Sequence, residues 1–149
     1  MSGIVLAVST FRESDRAVEC AIEKASGQGE LYCIYIIDVR LSEYCFAESG
    51  GSCYPKWKKR YIKEVLASYR HKAERTIQAI KEQADQCGLE VKAEVQYGGF
   101  AKKCVTFIQN IDPDAVVTTR AQRPGILRKI FGSHVDYIIE HVDCPVIEI

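Results

Sequence analysis

The hydrophobic residues of this 149-residue chain form two kinds of pattern that alternate along its length. Short continuous apolar runs at residues 3–8 and 31–37 predict strands that are covered on both faces. A third buried strand is predicted over 114–119, and a final strand over 145–149. Residues 89–97 instead alternate apolar and polar side chains, which predicts a half-exposed strand near a sheet edge.

Two helices are predicted between the strands at 3–8, 31–37 and 89–97. Ser14 stands at the N-cap position of the first, and apolar residues follow at helical spacing as far as Gly27. Residues 40–57 contain turn formers and predict a long loop. A long amphipathic helix is then predicted from about Lys56 to Gly88. Its apolar stripe comprises Ile62, Leu66, Tyr69, Ala73, Ile77, Ile80, Ala84 and Cys87.

Two more helices are predicted, one after the strand over 89–97 and one after the strand over 114–119. Gly98 and Gly99 turn the chain into one helix, whose Val105 and Ile108 can pack inward. The last helix carries apolar residues at helical spacing, namely Val135, Ile138, Ile139 and Val142. The order β-α-β-α-β-α-β-α-β predicts an α/β three-layer sandwich, with an open, mainly parallel five-stranded sheet and helices on both faces.

Composition narrows the class of protein. The 47% hydrophobic residues fit a globular chain, and the length favours one domain over residues 1–149. Twenty Lys and Arg balance twenty Asp and Glu, so no net field favours nucleic acid or an anionic membrane. No apolar run approaches a membrane span, and the first residues lack the basic region and cleavage site of a signal peptide. We therefore expect a cytoplasmic protein.

The seven cysteines do not indicate a disulfide framework or a zinc site, because their number is odd and none forms a CxxC pair. Four of them lie in apolar patterns and are predicted to act as small hydrophobic residues, namely Cys20, Cys33, Cys87 and Cys104. Cys45 and Cys53 lie in a Gly/Ser-rich loop, where redox-sensitive thiols remain an alternative. No histidine has a trusted partner at nucleophile or metal spacing, so we predict no catalytic residue and no metal site.

Hydrogen-bonding side chains follow the first and fourth strands. Ser9 and Thr10 directly follow the strand predicted over 3–8, and residues 118–120 lie at the end of the strand predicted over 114–119. In doubly wound sheets, ligands bind beyond the carboxyl ends of strands where the strand order reverses. Ser133 is predicted to cap the last helix, whose N–H groups would favour an anion. Positive charge is added by Arg120, Arg123, Arg128 and Lys129. A solvated loop and a purely structural cap remain the alternatives.

Three stretches of this sequence together resemble the universal stress protein family. They are "IVLAVSTFRESDRA", "VQYGGFAKKCVTFIQNIDPDAVVTTRAQ" and "GSHVDYIIEHVDCPVIEI", in that order and at the family's spacing. The resemblance implies a Rossmann-like fold of the adenine nucleotide alpha hydrolase-like type, with strand order 3-2-1-4-5. It also implies a small nucleotide-binding or signalling protein that forms a homodimer through its C-terminal strand.

ATP-binding members of that family carry the pattern Gly-x2-Gly-x9-Gly-(Ser/Thr) after the fourth strand. Here Gly132 and Ser133 remain, but Thr119 and Gln122 replace the first two glycines, and Ser9 replaces an acidic residue. A Cβ at those two positions obstructs close approach of the backbone to phosphate. The resemblance implies an adenine-nucleotide site formed by Ala7, Ser9, Thr10, Ile36, Thr118, Thr119, Arg120, Gln122, Gly132, Ser133 and His134.

The leading hypothesis is a stress-response protein that binds ATP or another adenine nucleotide, with or without Mg²⁺. A dimeric regulator that acts through protein contacts alone remains an alternative. A weak ATPase is another, for which Asp38 is the acidic candidate, although a solvated residue at the start of a loop is the favoured interpretation. Nucleic-acid binding through the basic and aromatic residues 56–63 is disfavoured by the neutral net charge.

Overall fold

The protein contains a five-stranded parallel sheet. A computed structural model describes residues 3–10, 12–27, 29–38, 55–119 and 134–149, with backbone alone for 55–59 and 134. The strands are β1 (Ile4–Ser9), β2 (Glu30–Ile37), β3 (Glu90–Tyr97), β4 (Ala115–Thr118) and β5 (Val146–Glu148). They pair in parallel in the order β3-β2-β1-β4-β5. This arrangement confirms the predicted α/β class and strand order, with β3 at an edge.

Helices connect these strands within the described ranges. They are α1 (Asp15–Ala25), α2 (Pro55–Asp85), α3 (Phe100–Ile111) and α4 (His134–His141). Ser14 caps α1 as predicted, because its side chain accepts a hydrogen bond from Ala17 N at 3.4 Å. Gly88, which follows α2, has a φ of 71° that favours glycine. None of the described helices is both long enough and apolar enough to cross a membrane.

The two faces of the sheet carry separate hydrophobic layers. Ile4, Leu6 and Val8 of β1 pack with residues of α1 and α2 on one face. Val5 and Ala7 pack with residues of α3 and α4 on the other. Because both faces are covered, the central strand is apolar at consecutive positions, as the sequence pattern predicts.

Two side chains depart from the predicted burial. Cys87 is exposed, because α2 ends at Asp85 and the cysteine lies in the turn that follows. Ile139 is 52% exposed, since it follows the fully buried Ile138 and points to a different side of α4. The prediction for Cys33 and Cys104 is confirmed, as both are buried.

Candidate functional site

The carboxyl ends of β1 and β4 meet at the centre of the sheet, where the strand order reverses. Ala7 is the register partner of Thr118, and Ser9 is the register partner of Ile36 on the other side of β1. Thr118 Oγ1 donates a hydrogen bond to Ala7 O at 3.0 Å, which joins the two strand ends. We call residues 7–10 with Thr118 and Thr119 the β1–β4 junction.

Thr119 packs inside this junction. Its side chain is buried, and its Oγ1 donates a hydrogen bond to Ile149 O at 3.0 Å. The backbone of Ile149 in turn donates to Thr118 O at 2.9 Å. The threonine that stands at a glycine position of the family pattern therefore fixes the end of β4 to the residue that follows β5.

Arg12 is a buried cation at the junction that the sequence reasoning missed. Only 4% of the residue is exposed, and its guanidinium donates to Thr119 O at 2.9 Å. The guanidinium carbon lies 4.6 Å from the centre of the Phe100 ring, within cation–π distance. Its backbone exchanges hydrogen bonds with Ser9, at 2.9 and 3.3 Å. A turn after β1 thus folds this arginine back to the end of β4.

A second polar group surrounds Glu13. The Glu13 carboxylate accepts hydrogen bonds from Tyr35 Oη at 3.1 Å and from Thr76 Oγ1 at 2.6 Å. Lys72 Nζ lies 3.3 Å from this carboxylate and also donates to Thr10 O at 3.1 Å. Burial, and then the negative charge of Glu13, raise the pKa of Tyr35. This Glu13 cluster attaches the loop after β1 to both β2 and α2.

Two further polar residues at this edge of the sheet are buried. Thr10 Oγ1 has no hydrogen-bond partner of ordinary geometry among the described residues, although the Thr10 side chain lies close enough to the Tyr35 hydroxyl to oppose the rise in the pKa of Tyr35. Asp38 follows β2 and is 5% exposed. The interpretation of Asp38 as a solvated loop residue is therefore wrong, because the end of β2 stays inside the protein.

Several predicted site residues lie outside the described residues, namely Arg120, Gln122, Gly132 and Ser133, together with Arg123, Arg128, Lys129, Cys45 and Cys53. His134 begins α4, and its backbone alone is described. The capping role of Ser133 thus stays a prediction. Within the described ranges, no group of three or more His, Cys, Asp or Glu side chains could hold a metal ion.

The groups gathered at the junction suit recognition of an anion. Ser9 and Thr10 contribute hydroxyls that can donate or accept, and Arg12 contributes a planar guanidinium that matches the geometry of phosphate. Ile36 is fully buried on the same face as Ala7 and adds apolar surface beside them. The structure therefore brings Ala7, Ser9, Ile36, Thr118 and Thr119 close together, and their role in binding a nucleotide stays a prediction.

Solved structures of similar fold include protein MJ0577, with a TM-score of 0.75 and 16% identity, covering 100% of this chain and 96% of that one. The universal stress protein from Archaeoglobus fulgidus in complex with dAMP has a TM-score of 0.55 and 21% identity, covering 99% and 97% of the two chains. An Arabidopsis thaliana family protein with AMP bound has a TM-score of 0.59 and 16% identity, covering 99% and 90%. These likenesses concern the fold.

Sequence comparison gives the family. Universal stress protein MJ0531 of Methanocaldococcus jannaschii is 26% identical over 118 residues, which is 79% of this chain. Universal stress protein Sll1388 of Synechocystis is 30% identical over 86 residues, which is 58% of this chain. The matches span 63% and 56% of the lengths of these two relatives. A sequence model of the universal stress protein family matches residues 1–148, and the chain belongs to that family.

Proposed function

We propose that this chain is a cytoplasmic stress-response protein that binds an adenine nucleotide at the β1–β4 junction. The observation that carries the proposal is the convergence of Ser9, Thr118 and the buried Arg12 at the point where the strand order reverses. Two family members of the same fold hold dAMP and AMP. The free thiols of the five described cysteines fit a reducing compartment.

The proposed orientation follows from the chemistry of the surrounding residues. Ile36 and Ala7 are buried on one face of the sheet, where apolar contact with an adenine ring is favourable. The phosphates then extend toward Arg120, Gly132 and Ser133, before the N-terminus of α4, where backbone N–H groups favour an anion. In this proposal His134, the first residue of α4, lies near the phosphates.

Mg²⁺ fits the described part of the junction poorly. Magnesium prefers carboxylate oxygens, whereas β1 ends in the hydroxyls of Ser9 and Thr10 and is followed by the cation of Arg12. Glu13, which follows Arg12, already contacts Lys72 and Thr76. The buried Asp38 after β2 also has an interaction of its own. In this proposal, any Mg²⁺ arrives with the phosphates of ATP and is held by them.

The proposal includes a homodimer formed through β5. In the sheet of the described residues, β5 pairs with β4 and has no strand on its other side. An exposed edge strand presents N–H and C=O groups that another chain can pair with. Ile139 adds an exposed apolar side chain on α4, which contacts β5. A twofold axis would make this pairing antiparallel and self-complementary.

Titration calorimetry with AMP and ATP tests the nucleotide site. We expect saturable binding that weakens when Arg120→Glu and Ser133→Ala are combined, because both changes remove groups that favour phosphate. Arg70→Glu is the control, since Arg70 is paired with Glu74 on an exposed part of α2. Unchanged affinity in the double variant would place the ligand elsewhere. Absence of any nucleotide binding would instead support the regulator that acts through protein contacts.

A further inference from the structure

We propose that the open edge of β3, with the groove beside it, docks a basic, extended segment of another protein, which adds a strand to the sheet. In the sheet of the described residues, β3 pairs with β2 along its whole length and has no strand on its other side. The groove lies near the start of β3, whereas the β1–β4 junction lies at the carboxyl ends of the strands. The inference therefore concerns a surface separate from the proposed nucleotide site.

The backbone of β3 shows which of its groups face the open edge. Gly98 N donates to Ile37 O at 3.0 Å, so Gly98 and every second residue before it turn their N–H and C=O groups toward β2. The residues between them, Val91, Ala93 and Val95, turn these groups away from β2. The strand contains no proline, and its pairing with β2 runs without a bulge. It thus lacks two devices that commonly prevent an edge strand from pairing.

A groove of about 290 Å³ lies beside this edge, between α2 and the start of β3. Leu89 and Val91 form its apolar part, and none of the described residues of β1 or β2 lines it. The groove is therefore on the open side of β3. When an extended peptide adds to a sheet edge, backbone hydrogen bonds hold its main chain and pockets beside the edge receive alternate side chains. The edge and the groove together provide both parts of such a site.

The charges that line the groove favour a basic partner. Three carboxylates, those of Glu82, Asp85 and Glu90, stand against one cation, Lys81. Glu82 accepts a hydrogen bond from the side chain of Gln78 at 3.2 Å, and this neutral donor does not cancel its charge. Complementary charge steers a partner of the opposite sign and disfavours one of the same sign. An acidic segment is therefore the wrong partner for this groove.

The charges farther along β3 have the same balance. Lys92 Nζ already lies 3.3 Å from the Glu30 carboxylate on β2. Glu94 instead accepts a hydrogen bond from the neutral Gln96 at 2.9 Å. Lysine and arginine side chains combine a charged end with an apolar stem. A segment that carries them can contact both the carboxylates and the apolar part of the groove.

Two fluorescent peptides of about ten residues, long enough to span β3, test the inference. One alternates lysine with valine, and the other alternates glutamate with valine. We expect anisotropy to show saturable binding of the lysine peptide and at least about tenfold weaker binding of the glutamate peptide. Glu82→Lys combined with Asp85→Lys should weaken binding of the lysine peptide about tenfold or more. Glu19→Lys with Glu23→Lys is the matched control, because it makes the same charge change on exposed positions of α1.

Amide hydrogen exchange, followed by NMR, distinguishes strand addition from adsorption of a cationic peptide to an acidic surface. We expect the amides of Val91, Ala93 and Val95 to exchange rapidly in the free chain and at least about tenfold more slowly with the lysine peptide bound. The amides of Lys92 and Glu94 already face β2 and should change little. Ala93→Pro should abolish binding, because it removes an outward N–H group and leaves the pairing with β2 in place.

Three results would overturn the inference. The first is failure of the lysine peptide to bind, or equal binding of the two peptides. The second is binding that leaves the exchange of the three outward amides unchanged. The third is slow exchange of these amides in the free chain, which would show that a second copy or another part of the chain already covers the edge. If Ala93→Pro does not fold, the exchange pattern of the wild-type chain decides alone.

Discussion

Thr76 on α2 donates a 2.6 Å hydrogen bond to the carboxylate of Glu13, across 63 positions of sequence. The same carboxylate accepts from Tyr35 and lies 3.3 Å from Lys72. Because Glu13 directly follows Arg12, these contacts hold the turn that carries the buried cation. The long helix is therefore connected by side chains to the candidate site.

Replacement of Thr76 by Val tests this connection. Valine keeps the β-branched shape but cannot donate to Glu13, so we expect the free energy of unfolding to fall by about 1–2 kcal/mol. Urea denaturation measures the change. Thr106→Val is the matched control, because the exposed Thr106 donates to a carbonyl of its own helix, Lys102 O, at 3.1 Å. A Thr76→Val effect no larger than that of the control would show that the bond contributes little.

Two of the three buried threonines at the junction, Thr118 and Thr10, should respond oppositely to the same change. Thr118→Val deletes the 3.0 Å hydrogen bond to Ala7 O and should cost about 1–2 kcal/mol of unfolding free energy. Thr10→Val removes a buried hydroxyl without a well-formed partner, so we expect stability to stay equal or to rise. Thermal denaturation compares the pair. A loss in Thr10→Val as large as in Thr118→Val would show that Thr10 bonds to the Tyr35 hydroxyl.

Buried thiols should resist alkylation while the protein is folded. Burial raises the pKa of Cys33 from 9.0 to about 12, and it also raises the pKa of Cys104. Both therefore stay protonated and enclosed at pH 8, and we expect iodoacetamide to modify them at least about a hundredfold more slowly than the exposed Cys87. Peptide mass mapping of a time course measures the rates, and the difference should disappear in denaturant.

The same raised pKa values predict how stability depends on pH. The unfolded chain releases the Cys33 proton above about pH 9, whereas the folded chain retains it up to about pH 12. This contribution to stability is therefore fully present below pH 9 and is lost as the pH rises toward 12. Urea denaturation at pH 8 and pH 10 should show a decrease that becomes smaller in Cys33→Ala. An identical decrease in that variant would exclude the thiol as a cause.

The proposed dimer can be tested at the backbone of β5. Ile149 N donates to Thr118 O, so the N–H groups of residues 149 and 147 point toward β4 and that of Glu148 points away from it. Glu148→Pro should therefore shift the chain from dimer to monomer in sedimentation equilibrium at micromolar protein. Ile147→Pro is the contrasting variant, because it breaks the pairing with β4 and should lower stability. A wild-type chain that is monomeric would refute the dimer.

Restoring the two missing glycines tests whether their absence limits ATP binding. We expect Thr119→Gly combined with Gln122→Gly to strengthen ATP binding modestly, because the backbone can then approach phosphate more closely. The same variant should lose about 1–2 kcal/mol of stability, since Thr119 no longer donates to Ile149 O. Calorimetry and thermal denaturation measure the two effects. Lack of any gain in affinity would mean that the loop differs in shape and not only in glycine content.

The sequence predicted the sheet because its strands carry strong local signals. Continuous apolar runs indicate that β1 and β2 are covered on both faces. Alternation of apolar and polar residues indicates that β3 is covered on one face only. Ser14 marked the start of α1 in the same local way. The resemblance then supplied the strand order, and with it the meeting of Ala7 and Thr118.

The polar contacts of the site could not be predicted in this way. Arg12 and Glu13 lie in a charged segment that is typical of a solvated loop, and their partners Thr119 and Thr76 are distant in sequence. Charged residues in a segment without hydrophobic periodicity do not indicate which distant side chains they will contact. Asp38 was misjudged for the same reason, because a charged residue after a strand usually faces water.

The register between β1 and β4 joins residues 111 positions apart, as the bond between Thr118 and Ala7 shows. Pairings of such long sequence separation are slow to form, because the entropy of closing the loop is lost before any contact compensates for it. Strands β1, β2 and β3 can associate earlier, because the segments that connect them are shorter than the separation between β1 and β4. During refolding, binding of a fluorescent analogue of an adenine nucleotide should therefore begin after the far-ultraviolet circular dichroism signal of the helices has appeared. The delay would report the time at which β4 joins the sheet.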